Sequence, residues 1–585
     1  MPEMRYTGGE IILKALGDQG VDVVFGYPGG VTLPLYDKIY LQNRVRHILV
    51  GHEQGGIHAA EGYARSTGKP GVVLATSGPG ATNTVTGLVD ALMDSIPVVC
   101  LTGQVVSNLI GNDAFQEADT TGITRAATKH NYLVKSTDDL ARVIHEAFYV
   151  ANHGRPGPVL VDIPKDVILD EGQYVVPEDV QPRNYKPNIR GDRAKIEEAV
   201  CLLASAKRPI IYVGGGVINS GPKASRLVTE LVKLTGFPCT TTLMALGAFP
   251  ASDSQFVGMP GMHGTYEANK AMYECDLMLN IGARFDDRVT GKVDKFSPGS
   301  KKIHVDIDPS SLNKNISVDI GIIGDAGSVV QDMLEVWHEK QPIIDTGSIK
   351  SWWRQIDEWR SIECLSYDQG DKIIKPQYAL ERLRELIRGS DFFVTTDVGQ
   401  HQMWAAQFLH FDEPNHWMTS GGLGTMGYGV PAAMGVQVAH PGSTVVCVTS
   451  EGSLMMNIQE MATISKYKLP VKILNLNNEI LGMIRQWQEL FHDNHESECD
   501  LSGGPDFIGL AEAFGFTAIQ VTDPAEVDAG IENMLRTDGP VFLNMAVDRN
   551  ENVFPMIPAG AAHNEIVLGP NQKMGMVDDK DNVMA

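Results

Sequence analysis

Residues 444–487 constrain the fold more than any other stretch of the sequence. They open with a β-rich apolar run, Thr444–Thr449, and a small polar turn, Ser450-Glu451-Gly452-Ser453. A helical pattern over 455–467 follows, then a second apolar run, 470–476, and the pair Asn477-Asn478. This is a strand-turn-helix-strand-loop unit with polar groups at both strand ends, where open α/β sheets hold ligands. Glu451 and Asn478 lie 478 − 451 = 27 positions apart. A carboxylate and an amide oxygen so placed can meet across adjacent parallel strands and hold a hard cation such as Mg²⁺, which takes oxygen ligands.

The same alternation runs through the chain. A helix over 7–19 precedes a strand over 21–25 that ends in Gly26-Tyr27-Pro28-Gly29-Gly30. A strand over 47–50 ends in Gly51-His52-Glu53-Gln54, before an Ala-rich helix over 56–67. The strand Gly71–Ala75 runs into 76–83, which contains Pro79 and Asn83. A helix over 84–95 and a strand over 97–102 follow. A second unit has strands over 209–213, 276–281 and 302–306; the first ends in Gly214-Gly215-Gly216 and the second in 282–288. A third begins at Phe392–Thr396 and ends that strand in Asp397-Val398-Gly399-Gln400-His401. Strands alternating with helices at this pitch predict an α/β protein of parallel, doubly wound sheets.

Residues 173–192 lack periodicity and carry Pro177, Pro182 and Pro187, which reads as a linker. Residues 341–376 read as a second linker, interrupted by a Trp-rich helix over 349–362. The expected division is therefore 1–172, 193–340 and 377–548, with a tail over 549–585. Three domains suit 585 residues, since single cores stop growing near ~250–300. The first and third look like two copies of one architecture.

A net charge of −24 argues against nucleic-acid binding, which rests on Lys and Arg neutralising phosphates. It does not exclude a diphosphate held by a metal and backbone N–H groups. Seven widely spaced cysteines without a CxxC pair read as reduced thiols. No run of ~18 apolar residues predicts a membrane span. The N-terminus reads straight into a helix, unlike a signal or transit peptide, so a cytoplasmic location is expected.

The stretch around Glu451 and Asn478 resembles the thiamine-diphosphate (ThDP) enzyme motif, normally Gly-Asp-Gly, a spacer of this length, then Asn-Asn. The flanks MNIQE and LGMIRQWQELF, with GHEQGGIHAAEGYAR and ARFDDRVTGK, resemble the acetolactate synthase (acetohydroxyacid synthase) catalytic-subunit family over about residues 5–567. That resemblance implies pyrimidine-binding, central FAD-binding and diphosphate-binding domains. It implies a transferase that decarboxylates pyruvate on ThDP and joins the hydroxyethyl carbanion to pyruvate or 2-ketobutyrate, in branched-chain amino-acid biosynthesis.

Residue by residue, the resemblance makes Glu53 the group that activates the cofactor's pyrimidine ring, where a lone Glu would read as a helix cap. Gln116 becomes a polar group near the acceptor, and Arg288 the cation for a 2-keto acid carboxylate, which a planar guanidinium suits. Trp487 and Met483, on one helix face, favour 2-ketobutyrate as acceptor. Pro28, Pro79, Asn83, Gly399, Gln400, His401, Gly424, Met426, Gly452 and Ser453 contact ThDP, with Met426 as the apolar wedge that bends it. Arg155, Gly214, Gly215, Met262, His263, Gly264, Arg284, Asp306 and Asp325 hold FAD, which has no net redox role. Glu451, Asn478 and Ile480 hold Mg²⁺. A homodimer or dimer of dimers with ThDP at the interface, and a separate regulatory small subunit, are implied as well.

The chain departs from the motif at its centre: Glu451 stands for the usual Asp and Ser450 for the first Gly. Glu adds a methylene to an arm that must satisfy a near-octahedral ion, and Ser restricts the turn if that turn needs a positive φ. An impaired or non-catalytic paralogue, or another ThDP-dependent 2-keto acid carboligase, is the alternative reading.

Overall fold

A computed structural model describes residues 4–178, 180–182 and 185–570. The acidic end of the expected tail lies outside these residues. Three parallel sheets follow one another along the chain. The first has strands Val23–Gly26, Arg46–Leu49, Gly71–Ala75, Val98–Gln104, His130–Leu133 and Val159–Pro164. The third has Phe392–Thr396, Trp417–Met418, Thr444–Thr449, Lys472–Asn477, Thr517–Val521 and Val541–Ala546. With each unit's strands numbered in chain order, both sheets run 2-1-3-4-6-5. The middle sheet, of Pro209–Val213, Cys239–Thr241, Leu277–Ile281, Lys301–Asp306 and Ile320–Ile323, runs 2-1-3-4-5. The first and third units thus share one topology.

In all three sheets the order reverses between strands 1 and 3, and the crevice beyond that switch point is where such folds bind ligands. Helices cover both faces, so the central strands are apolar throughout: Val445, Val446, Cys447 and Val448 are all fully buried.

The first and third units are joined through two helices, Glu53–Thr67 and Gly429–Ala439. Their backbones nearly touch: a Cβ at Gly62 would lie 2.2 Å from the Ala432 carbonyl oxygen, and one at Gly435 would lie 1.8 Å from that of Ala59. Small residues permit this approach and put the helix that starts at Glu53 directly on the third unit.

Several local expectations change. The chain enters through a short strand, Arg5–Thr7, paired antiparallel with Glu171–Gln173, before the helix Gly8–Asp18 capped by Thr7. The helix expected over 455–467 starts only at Glu460 and runs to Lys466, after a separate helical turn, Glu451–Leu454. Asn457 interrupts it, because its side-chain amide donates to the Gly427 carbonyl at 2.8 Å. Glu451 therefore begins a helical turn rather than sitting in a loop. The Trp-rich helix, Thr346–Arg360, is docked on the middle unit: Trp352 and Trp353 donate ring N–H bonds to Pro209 and Gly236 carbonyls at 3.0 and 2.8 Å.

Candidate active site

The expected site residues fall into three groups, each at a switch point. In the first unit, Pro28 follows strand 1, Glu53 follows strand 2, and Pro79 and Asn83 follow strand 3. Glu53 is the first residue of its helix and is buried, and Asn83 Nδ2 donates to its Oε2 at 3.0 Å. Asn83 thus orients the carboxylate that the sequence singled out. Gln116 is on an irregular loop with φ of 59°. Non-glycine residues rarely take that conformation, and strain of this kind clusters at functional sites. The loop is packed in place: a Cβ at Gly78 would lie 2.8 Å from the Gln116 carbonyl oxygen.

In the third unit, Gly399, Gln400 and His401 follow strand 1, Glu451 to Ser453 follow strand 3, and Asn478 follows strand 4. Glu451 is 3% exposed. Its Oε1 accepts the Ile480 N–H at 3.0 Å, and Asn478 Oδ1 accepts the same N–H at 3.3 Å. Two oxygens that share one donor lie side by side. Glu451 Oε2 is buried without a hydrogen-bond partner, and burial pushes the carboxyl up to about 7. A buried carboxyl with one oxygen unpartnered and the other beside an amide oxygen is costly as it stands and suits a hard cation. The donor set therefore fits Mg²⁺. Ile480 joins the group through its N–H. Ser450 has φ of −132°, so the turn does not need glycine there.

His401 is buried, its Nε2 unpartnered, and burial holds its ring down to about 3. It is a neutral imidazole at physiological pH. Gln400 Nε2 turns inward, donating to Gln486 Oε1 at 2.9 Å and the Glu551 carbonyl at 3.0 Å, while its Oε1 is buried without a hydrogen-bond partner. Ser453 Oγ donates to the Val398 carbonyl at 3.2 Å. Gly452 lies close to Met426: a Cβ there would sit 3.8 Å from the Met426 methyl. Gly424 has φ of 73° on the exposed part of the same Gly-rich loop.

The third group surrounds a cavity of about 960 Å³. Arg155, Gly215, Met262, His263, Arg284, Asp306 and Asp325 line it, together with Arg288, Gly399, Gly424, Met483 and Trp487. Gly214 and Gly264 shape its walls from behind: Cβ atoms there would strike the carbonyls of Gly282 and Met259 at 2.3 and 2.4 Å. A cleft of this volume suits a large ligand. The guanidiniums of Arg155 and Arg284 suit a diphosphate, and the Asp306 and Asp325 carboxylates suit hydroxyls, so the lining fits FAD. Asp325 also caps the helix Ala326–Lys340 by accepting from Ser328 N–H at 3.0 Å. His263 is buried and held down to about 4 by burial. Trp487 and Met483, on the helix Gly482–Phe491, line the same cavity as Arg288. Arg288 is half-exposed, its Nε 3.6 Å from Asp287.

Neither Glu53 nor Glu451 lines this cavity. The structure also adds residues that sequence reasoning missed. Asp94 accepts the N–H groups of Gly421 and Gly422 at 2.8 and 2.7 Å, which seats the Gly-rich loop on the first unit and lines the cavity. Asp90 receives the Ser420 hydroxyl at 2.6 Å. Asp90 and Asp94 share one helix face at i, i+4, and that spacing was the available signal.

These crevices define a thiamine pyrophosphate enzyme. Three family models match in order: the N-terminal TPP binding domain over residues 6–123, the central domain over 196–333, and the C-terminal TPP binding domain over 397–545. The chain is 47% identical over 572 residues to the acetolactate synthase large subunit of Haemophilus influenzae, covering 97% of this chain and 99% of that one. It is equally similar, over the same shares, to the isozyme 3 large subunit of Escherichia coli. The acetolactate synthase of Mycobacterium bovis is 47% identical over 96% of this chain and 91% of its own. The chain belongs to the acetolactate synthase large-subunit family. Among the described residues no helix is long and apolar enough to cross a membrane.

Proposed function

We propose that this enzyme makes 2-acetolactate from two pyruvates with loss of CO₂, and 2-aceto-2-hydroxybutyrate when 2-ketobutyrate is the acceptor. The observation that carries this reading is the pair of polar crevices, Glu53 with Asn83 and Glu451 with Asn478, at equivalent ends of two sheets of one topology. The first suits an aminopyrimidine and the second a metal diphosphate. They lie in separate groups of one chain, so two copies facing each other would complete each site, which supports a homodimer or a dimer of dimers.

When bound, ThDP supplies the carbanion nucleophile, which is the cofactor's chemistry. The chain supplies position and proton control. Glu53, oriented by Asn83, holds a proton at the pyrimidine ring. Glu451 and Asn478 hold Mg²⁺. Arg288 and Gln116 receive the acceptor's carboxylate and carbonyl, and Trp487 and Met483 shape the pocket around its alkyl group. Met426 and the Gly-rich loop close the crevice against water. FAD fills the large cavity as a structural wall. A regulatory small subunit and a cytoplasmic location belong to the same reading.

The test is purified protein with pyruvate, ThDP, Mg²⁺ and FAD. Acetolactate is expected, with a mixed product when 2-ketobutyrate is added. Acetaldehyde alone, or stoichiometric dye reduction, refutes the reading.

A further inference from the structure

Glu460 begins the helix Glu460–Lys466 of the third unit, yet its carboxylate is committed to the first. The Gly51 N–H lies 3.0 and 3.1 Å from its two oxygens, and the His52 N–H lies 3.0 Å from Oε1. Thr463 Oγ1 donates to Oε2 at 2.8 Å. The side chain is fully buried. A charged acceptor bound to two backbone donors out of water is a strong, directional tie.

Gly51 and His52 are the two residues immediately ahead of Glu53. His52 caps the helix that Glu53 opens, its Nδ1 accepting the Gln54 N–H at 3.1 Å. The Glu53 carboxylate is held from the other side by Asn83. Burial pushes the Glu460 carboxyl up, and the charge of Glu53 adds to that push.

We propose that Glu460 is a positioning residue for Glu53: it clamps the backbone of residues 51 and 52 and so sets where the Glu53 carboxylate points. The inference rests on the reading of Glu53 given above. It makes the proton-handling group of one unit depend on a side chain of the other, within the same chain. Asn83 fixes the end of the side chain and Glu460 fixes its root.

Glu460→Gln is the test. With its NH₂ in the place of Oε2, the amide sets a donor 3.1 Å from the Gly51 nitrogen and leaves a neutral oxygen, in place of a charged one, to accept the two backbone N–H groups. In cofactor-free protein, hydrogen exchange of the segment around Gly51 and His52 should speed up by about tenfold or more, while distant core strands stay protected. In the loaded enzyme, kcat and the rate of C2-proton exchange of bound ThDP should fall together by about 10–100-fold. KM for pyruvate and the affinity for ThDP should change by less than about threefold, the split that marks loss of a group acting in the reacting step. A lowered melting midpoint with parent kcat and parent C2 exchange overturns the proposal and leaves Glu460 a purely structural tie. Glu53→Gln separates the two claims. If it retains parent C2 exchange, the reading of Glu53 itself fails. If it loses exchange while Glu460→Gln keeps it, only the clamp fails. Should Glu460→Gln not fold, Glu460→Asp, too short to reach both donors, is read the same way. The parent protein gives a further check without any variant: rapid exchange of the Gly51 and His52 amides overturns the clamp directly.

Discussion

Replacing Gly435 by Ala decides between two opposed effects at the seam that carries Glu53. Helix propensity favours Ala over Gly in a helix interior by ~1 kcal/mol. Packing opposes it, because the new Cβ would lie 1.8 Å from the Ala59 carbonyl oxygen. An ordinary carbon–oxygen contact is about 3.3 Å, so the two helices would have to part by roughly 1.5 Å. The obstacle is backbone, so no side chain can swing aside. A gap of 0.5–1 Å already forfeits about a quarter to a half of the attraction of each contact across it. The seam is lined by fully buried Ala59, Ala60, Ala432, Ala433 and Val436, all of which lose contact. Overpacking costs about 1–3 kcal/mol and sometimes more, so the net expectation is destabilisation by about 2 kcal/mol. Thermal and urea midpoints of parent, Gly435→Ala and Gly62→Ala read this out. They are reported as midpoints, since a multi-domain chain does not unfold in two states. Both variants should melt earlier, and the double variant less than additively, because the second methyl enters a gap the first has opened. Activity of the folded fraction should fall too, as Glu53 moves with its helix. A raised midpoint for Gly435→Ala would show that propensity wins and that the close approach is not a constraint.

Glu451→Asp should lower the Mg²⁺ and ThDP concentrations needed for half-maximal activity, because the shorter arm restores the family's usual reach; equal requirements in the two proteins refute this. Burial raises Asp162 to about 7, with Thr102 Oγ1 and Gln104 Nε2 donating to it at 2.8 and 3.0 Å. The folded state then holds a proton that the unfolded state releases near its ordinary value, so stability falls as pH rises from about 4 to 7 and the full cost, about 4 kcal/mol, is present above 7. Asp162→Asn should therefore raise the unfolding midpoint at pH 8 far more than at pH 4, and parallel curves would count against it. Trp487→Leu should shift the acceptor ratio toward pyruvate in a competition assay, and an unchanged ratio removes Trp487 from acceptor selection. Arg288→Lys should raise KM for pyruvate by about tenfold, since a point charge cannot replace a bidentate fork; an unchanged KM places the carboxylate elsewhere.

The alternation of apolar runs and helical periods made the three sheets legible, because a buried parallel strand needs a short apolar run and a crossover needs an amphipathic helix. Polar residues just after those runs marked Glu451 and Asn478 as a pair suited to a cation, whereas Glu53 and Asn83 stood out only through the resemblance to a known family. What periodicity could not show is where a side chain outcompetes the backbone. Asn457 breaks a helix by bonding a glycine carbonyl 30 residues away, and Gln400 turns inward because Gln486 and the Glu551 carbonyl accept its amide. Both partners are distant in sequence, so no local window contains the cause. Glu460 was hidden for the same reason: its partners, Gly51 and His52, are about 400 positions away. The departure at the motif's centre reads differently with its geometry known. Ser450 takes an extended φ that any residue adopts, so that substitution costs the turn nothing. Glu451 uses its longer arm to accept the Ile480 N–H with the oxygen nearer Asn478, leaving the other buried and unpartnered. A paralogue that had abandoned the metal would have no reason to keep an unpaired carboxylate oxygen buried there, since a hydrophobic side chain of similar size removes that cost. The substitution therefore changes how the carboxylate is braced, and the buried oxygen is what argues that the site still binds its ion.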